Sequence, residues 1–344
     1  MCSSLDPKCS PRLPRTGPAP KHLDMLAYVA CPLKQTFREH FDALAVQHGK
    51  ATGRPLQIHI PMGCRDEAED EYKDIANVAD IAELPEVVAS VGFGDFMTLD
   101  FGSRFVSKGC FRSIWPGPVH PAFASAGLVD PEGWFTPYSV WAHVILVDLA
   151  KLRDRPVPRR WRDLLEPCYE DQIVSDGAHD QQFAPVPLLH FYKEFGEAGL
   201  ARLAKNIRET WHPAQMVKVA GSAESKGAAI YIVPWSFACA RQWPKNVRVV
   251  WPEDGAISSP LYALVKDKPD PAACVIGDAL VGEALGQRCA QAGFPSLNPA
   301  VNNLLPEGAS FTWLGWDYVR RTNVRALIKL TSDLADHAWA SKVA

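Results

Sequence analysis

Short apolar runs closed by turn-forming residues alternate along this chain with segments whose apolar positions return every three to five residues. Residues 23–30 (LDMLAYVA) read as a buried strand, because a brief apolar run between turns suits a sheet covered on both faces. Cys31 and Pro32 follow, and proline is favoured in a helix's first turn. Phe37, Phe41, Leu44 and Ala45 then recur at helical spacing until Gly49 and Gly53. Residues 56–60 (LQIHI) give a second strand ending at Pro61, Met62, Gly63 and Cys64. Such a β-α-β unit predicts a parallel pair with a right-handed crossover. A charged helix over 65–73 and a strand over 87–91 come next, the latter ending at Gly92, Phe93, Gly94 and Asp95. After an irregular stretch over 96–133, residues 138–147 (YSVWAHVILV) form a long extended run. Strands are predicted over 172–174, 216–220, 228–233, 247–251 and 261–265, and helices over 187–210, 271–292 and 323–340. The alternation, with no internal repeat, predicts an α/β protein.

At 344 residues the chain suits two lobes rather than one core. Its net charge of −3 lacks the basic footprint of a nucleic-acid binder. No apolar run reaches the roughly 18 residues of a membrane-spanning helix. The first 20 residues carry Pro, Arg and Ser without an apolar core, and read as a disordered tail rather than a secretory leader. Nine scattered cysteines, an odd number with no C-x-x-C pair, fit a reducing compartment. Together these predict a cytoplasmic location, the alternative being a periplasmic or extracellular one if the true start lies elsewhere. The phosphate-binding G-x-x-x-x-G-K-[ST], H-E-x-x-H and G-x-S-x-G patterns are absent, and Gly92-Phe93-Gly94 lacks the third glycine of a dinucleotide site.

Three segments carry a resemblance. The first holds Lys151, Leu152, Pro158, Trp161, Asp163, Leu164, Leu165, Pro167 and Tyr169 in order; the second is Trp251-Pro252-Glu253-Asp254-Gly255; the third is Gly293-Phe294-Pro295-Ser296-Leu297-Asn298-Pro299. They resemble the type II periplasmic solute-binding proteins, the substrate-binding components of ABC transporters, in their iron- and polyamine-binding branch. The resemblance spans about 22–340. It implies a two-lobed α/β fold with two hinge crossovers, expected over 135–147 and 247–264, joining two separate sheets. The expected lobes are 21–137 with 252–344, and 138–251. It also implies capture of a small molecule or ion for an ABC permease, without catalysis. One departure bears on the ligand: the ferric-binding members carry an adjacent tyrosine pair where 228–235 here hold only Tyr231.

In an open α/β sheet, ligands bind outside the carboxyl ends of the strands. That rule and the resemblance select Cys31, Pro32, Lys34, Gly63, Cys64, Gly94, Asp95, Tyr138, Asp176, His179, Gly221, Ser222, Trp235 and Glu253 as the expected ligand-binding set. Helix N-termini among them offer free N–H groups to an anion. Cys31, Cys64 and His179 are the candidate ligands for a soft metal or metal complex, the one cofactor in view. Ordinary loop positions are the plain alternative for each. Two other functions stay open on this fold: an enzyme using Cys31 or Cys64 beside His179, and a cytoplasmic carrier or sensor.

Overall fold

The computed structural model describes residues 22–62, 70–177, 183–223 and 226–343. The strands are β1 (Met25–Ala27), β2 (Ile58–His59), β3 (Val87–Val91), β4 (Phe111–Arg112), β5 (Thr136–Asp148), β6 (Ile173–Asp176), β7 (Ile207–Trp211), β8 (Ile230–Pro234), β9 (Val247–Val250), β10 (Ala256–Lys266) and β11 (Phe311–Thr312). The helices are α1 (Lys34–Thr52), α2 (Leu99–Arg104), α3 (Pro121–Ser125), α4 (Leu149–Leu152), α5 (Pro185–Asn206), α6 (Pro213–Val219), α7 (Trp235–Ala238), α8 (Pro271–Val281), α9 (Glu283–Gln291), α10 (Trp316–Arg321) and α11 (Val324–Val343).

The strands are ordered β2-β1-β3-β10-β5-β8-β6-β7, with β4 and β11 on β10 and β9 on β5. β1 is parallel to both β2 and β3, as the β-α-β pattern predicts, and β6 is parallel to β7 and β8. β5 and β10 are the long strands between these two parallel sets. They pair antiparallel with each other, β10 continuing onto β3 and β5 onto β8. The expectation of two separate sheets is therefore corrected: hydrogen bonding runs unbroken through the paired crossovers. A crossover strand carries unpaired N–H and C=O groups on both edges, and pairing the two satisfies them.

Strand alternation builds the core on two faces. In one half, Met25, Ala27, Ala89 and Ala263 pack under Phe37 and Phe41 of α1 and Ile276 of α8. In the other, Ile145, Ile173, Ile230 and Ile232 pack under Phe191 and Leu203 of α5. The opposite face joins both halves through Leu26, Val88, Val140, Val144, Tyr231 and Tyr262.

Two local expectations are corrected. Residues 216–220 are not a strand: α6 occupies Pro213–Val219, started by Pro213 and capped by His212 Nδ1 on Ala214 N–H. The helix expected over 187–210 ends at Asn206, whose amide is buried against the carbonyls of Leu164 and Glu166; the chain then turns extended as β7. One helix within residues 252–344 contacts both halves. α11 begins beside β3's end, where Arg325 pairs with Asp95 at 3.1 Å. It finishes on the other half, with Ala335 in the α5-side core and Trp339 Nε1 donating to Ile207 O at 3.1 Å.

Two resemblance segments turn out to touch. Trp161 is fully buried and its Nε1 donates to Gly255 O at 2.7 Å, while its backbone N–H meets the Asp254 carboxylate at 3.1 Å. Glu253 pairs with Arg159 and Arg160. The turn between β9 and β10 is thereby pinned to residues 159–161.

His190, on α5, gives this core an acid sensitivity. Burial pushes its pKa down from 6.5 to about 4, the nearby Glu194 opposing and Lys193 assisting. The unfolded chain then binds a proton that the folded chain refuses between about pH 6.5 and 4, so stability falls as pH is lowered through that window. The loss amounts to about 3 kcal/mol. Denaturant titrations at pH 7 and pH 4 should show a markedly smaller fall for His190→Leu than for the unsubstituted protein; an equal fall would remove His190 as the cause.

Candidate functional site

The direction of the strands picks out a candidate region. β3 ends at Val91, opposite Leu261 of β10, while β8 ends at Pro234, opposite His143 of β5. Leu261 pairs with Ser139, and Ile257 pairs with His143. The carboxyl ends of both parallel sets therefore point at one stretch of the crossovers, residues 139–143 and 257–261. Four residues of strand separate the two levels, roughly 13 Å. Loops leaving the two sets of strands face each other across that stretch.

Several expected residues stand at these ends. Cys31 is exposed and opens a single turn of 3-10 helix, Pro32 is exposed beside it, and Lys34 is the first residue of α1. Gly94 caps the short turn over Asp95–Met97 after β3, and Asp95 is engaged by Arg325. Asp176 is the last residue of β6 and Trp235 the first of α7. Tyr28, just past β1, donates its hydroxyl to Asp70 at 2.9 Å. Gly63, Cys64 and His179 lie outside the described residues, so the soft-metal set is represented only by Cys31. The six cysteines among the described residues are all free thiols.

Four expected residues are placed elsewhere. Tyr138 is 2% exposed, with its ring 5.9 Å from that of Phe37; the β5–β10 register shifts at Tyr138, between the Ser139–Leu261 and Pro137–Tyr262 pairs, and this bulge turns it under α1. Burial drives its pKa well above 10. Gly221 and Ser222 follow a helix rather than a strand, which puts them at the far end of β8. There Gly221 N–H donates to Asp148 at 3.0 Å and Ser222 O accepts from Lys151 at 3.2 Å. Glu253 is spent on Arg159 and Arg160 in the β9–β10 turn.

The structure adds one residue that the sequence reading passed over. His143 Nε2 lies 3.2 Å from Asp176 Oδ2, with His143 only 3% exposed. The pair joins the crossover to the end of β6. A legible signal existed: His143 is the one ionisable side chain inside the apolar run YSVWAHVILV apart from the Tyr138 phenol. A cavity of about 420 Å³ also lies between the halves. It is lined by Trp235, Cys239, Trp243 and Trp251 on one side and by Gln291 and Pro306 on the other. Trp235 and Trp251 meet edge to face at 5.3 Å, and Arg241 stacks over Trp243 at 4.8 Å.

His22, Asp24 and Asp270 converge closely enough to hold a metal ion, but at the opposite end of β1 from the site. Arg54 already supplies the cation there, 2.8 Å from Asp24 and 3.8 Å from Asp270.

Two facing sets of strand ends across a pair of crossovers define the class of fold: a two-lobed α/β protein. The family follows from sequence. Residues 82–322 match the family described as bacterial extracellular solute-binding protein, and the chain belongs to it. No curated protein matches the chain. Among solved structures, a Clostridium perfringens ABC transporter protein is 13% identical, with 92% of this chain and 99% of that chain covered and a TM-score of 0.61. The Trichodesmium protein in complex with iron and citrate is 14% identical, with 92% and 99% covered and a TM-score of 0.60. The Actinobacillus pleuropneumoniae protein AfuA, bound to fructose-6-phosphate, is 14% identical, with 92% and 98% covered and a TM-score of 0.56. At these identities the likeness is one of fold.

The protein is a solute-binding protein of the ABC-transporter type. Its family takes up small solutes or ions for ABC permeases, and is one of binding proteins rather than enzymes. The cytoplasmic location expected from the cysteines and the N-terminal residues is overturned, because the family is extracellular. The six cysteines among the described residues are free thiols, and a free thiol by itself does not report the compartment. Among the described residues no helix is long and apolar enough to cross a membrane.

Proposed function

We propose that this protein binds a small organic solute in the cleft between its halves and presents the closed form to a permease, without transforming the solute. The lobes are residues 22–137 with 252–323, and 138–251, with α11 bridging them. The supporting observation is the convergence of both sets of strand ends on residues 139–143 and 257–261. Cys31, Lys34, Gly94, Asp176 and Trp235 border this cleft, and closure about β5 and β10 encloses the solute. Tyr231, the one tyrosine where the ferric-binding members carry an adjacent pair, is fully buried with its hydroxyl accepting from Ala228 N at 2.9 Å, which favours an organic solute over a bare ferric ion.

Native mass spectrometry of protein purified from its own host should show a bound organic mass released on denaturation, with small-angle scattering showing expansion once it is removed. A stoichiometric metal with no organic mass would overturn the reading. Trp235→Ala should weaken solute binding roughly tenfold or more. Because Trp235 is 9% exposed and packed on Trp251, stability will drop as well. Calorimetry well below the melting temperature separates the two effects.

A further inference from the structure

We propose that Trp141 and His143 form a hydrogen-bonding ledge on the cleft floor that selects a hydroxylated solute: a polyol, a sugar or a hydroxy acid. This rests on the inter-lobe cleft being the ligand site. Positions 141, 143 and 145 share one face of β5. Ile145 lies in the core beneath α5, and Trp141 leans against Phe294 at 5.8 Å beside the core beneath α1. His143 falls between them, at the level where β8 ends. Both helices start on the side where the strand ends meet, so this face of residues 141–143 is the floor between their N-termini.

Trp141 Nε1 and His143 Nδ1 are each buried without a hydrogen-bond partner among the described residues. Buried polar atoms are almost always satisfied, so two orphans on one face mark where something else completes them. Their chemistry differs. The indole nitrogen only donates. In the neutral imidazole, with Asp176 Oδ2 3.2 Å away as acceptor, the proton belongs on Nε2, which leaves a lone pair on Nδ1. The ledge therefore offers one donor and one acceptor, on residues whose Cα atoms stand roughly 7 Å apart along the strand. A carboxylate satisfies Trp141 and gives nothing to Nδ1. An ammonium satisfies Nδ1 and leaves the indole N–H unmet. A hydroxyl both donates and accepts, so neighbouring hydroxyls on one skeleton answer both. Asp176 acts as the positioning residue by fixing the tautomer.

Two substitutions separate ledge from scaffold. Asn keeps a polar atom near Nδ1 and loses Asp176; Gln keeps the Asp176 contact and loses the ledge atom. Calorimetry with sorbitol, glucose and citrate, against succinate and putrescine as controls, gives the readout. At least one hydroxylated probe should bind and neither control should. For that probe, His143→Gln should lose about tenfold or more in affinity while holding its Tm, and His143→Asn should stay within about threefold while its Tm falls. In ¹⁵N-histidine spectra the bound probe should shift the Nδ1 resonance of His143. The proposal is overturned if no hydroxylated probe binds, if a control binds equally well, or if affinity loss simply follows Tm across both variants. A hydroxylated probe that compacts the protein in scattering yet leaves Nδ1 and both variants' affinities unmoved would sink the ledge and spare the cleft. Binding without compaction would sink the cleft itself.

Discussion

Asp148→Ala should lower the unfolding free energy by about 3–5 kcal/mol, the cost of breaking a buried charge pair from one side. Asp148 is 1% exposed at the end of β5. Its carboxylate accepts from Ala150 N at 3.1 Å, from Lys151 N at 3.3 Å and from Gly221 N at 3.0 Å, and lies 3.4 Å from Lys151 Nζ. One side chain thus caps α4 and anchors the turn after α6. Removing it strands three N–H groups and an ammonium whose other acceptor is Ser222 O. Asp148→Asn, which keeps an acceptor but not the charge, should lose markedly less. Equilibrium urea unfolding measures both; a loss for Asp148→Ala below about 1 kcal/mol, the worth of one ordinary hydrogen bond, would show that the cluster does not anchor this end of the fold.

Gly293→Ala should act on the hinge. Gly293 has φ +78°, and a Cβ there would lie 2.4 Å from the Cα of Ser236 and 2.7 Å from Cys239 Sγ. Those atoms belong to the other half, Ser236 in α7 and Cys239 just after it. Beyond Gly293, residues 294–297 run beside β5: Val140 N–H donates to Pro295 O at 3.1 Å and Leu297 N–H to Tyr138 O at 3.1 Å. A methyl group at 293 therefore wedges the two halves at the back of the crossover. Left-handed strain and overpacking together should cost about 2–5 kcal/mol. Gly308 is the control, since its φ is +72° with nothing within 4 Å of a Cβ. Gly308→Ala should cost only about 1–2 kcal/mol, the strain alone. Scattering should report a larger radius for Gly293→Ala than for Gly308→Ala; equal radii and equal stability losses would show that the contact gives way freely.

The strands that the sequence determined were those with a long, unambiguous apolar run. β5, β3, β8 and the parallel pair β1–β2 stand where the hydrophobic runs put them, because a sheet covered on both faces needs continuous apolar residues. The three resemblance segments also carried the two-lobed class, since the buried Trp161 and its Asp254 and Gly255 partners belong to two of them. Strand-end reasoning selected Cys31, Gly94, Asp176 and Trp235 as candidates, and the structure does place them at or just beyond strand ends.

Tertiary structure decided what short range could not. Residues 216–220 are apolar enough for strand or helix, and the start of α6 at Pro213 settled it, carrying Gly221 and Ser222 away from the cleft. Tyr138 and His143 lie in one strand; a register shift against β10 sent the first under α1, while the second stands opposite the end of β8. The partner of His143 is 33 residues away in sequence and that of Asp95 is 230 away. α11 reads as an ordinary amphipathic helix, and only packing shows that its two ends belong to different halves. The physical reason is common to all four. Periodicity reports how a segment exposes its own faces, whereas the identity of the surface that covers each face is set by free energy summed over residues distant in the chain.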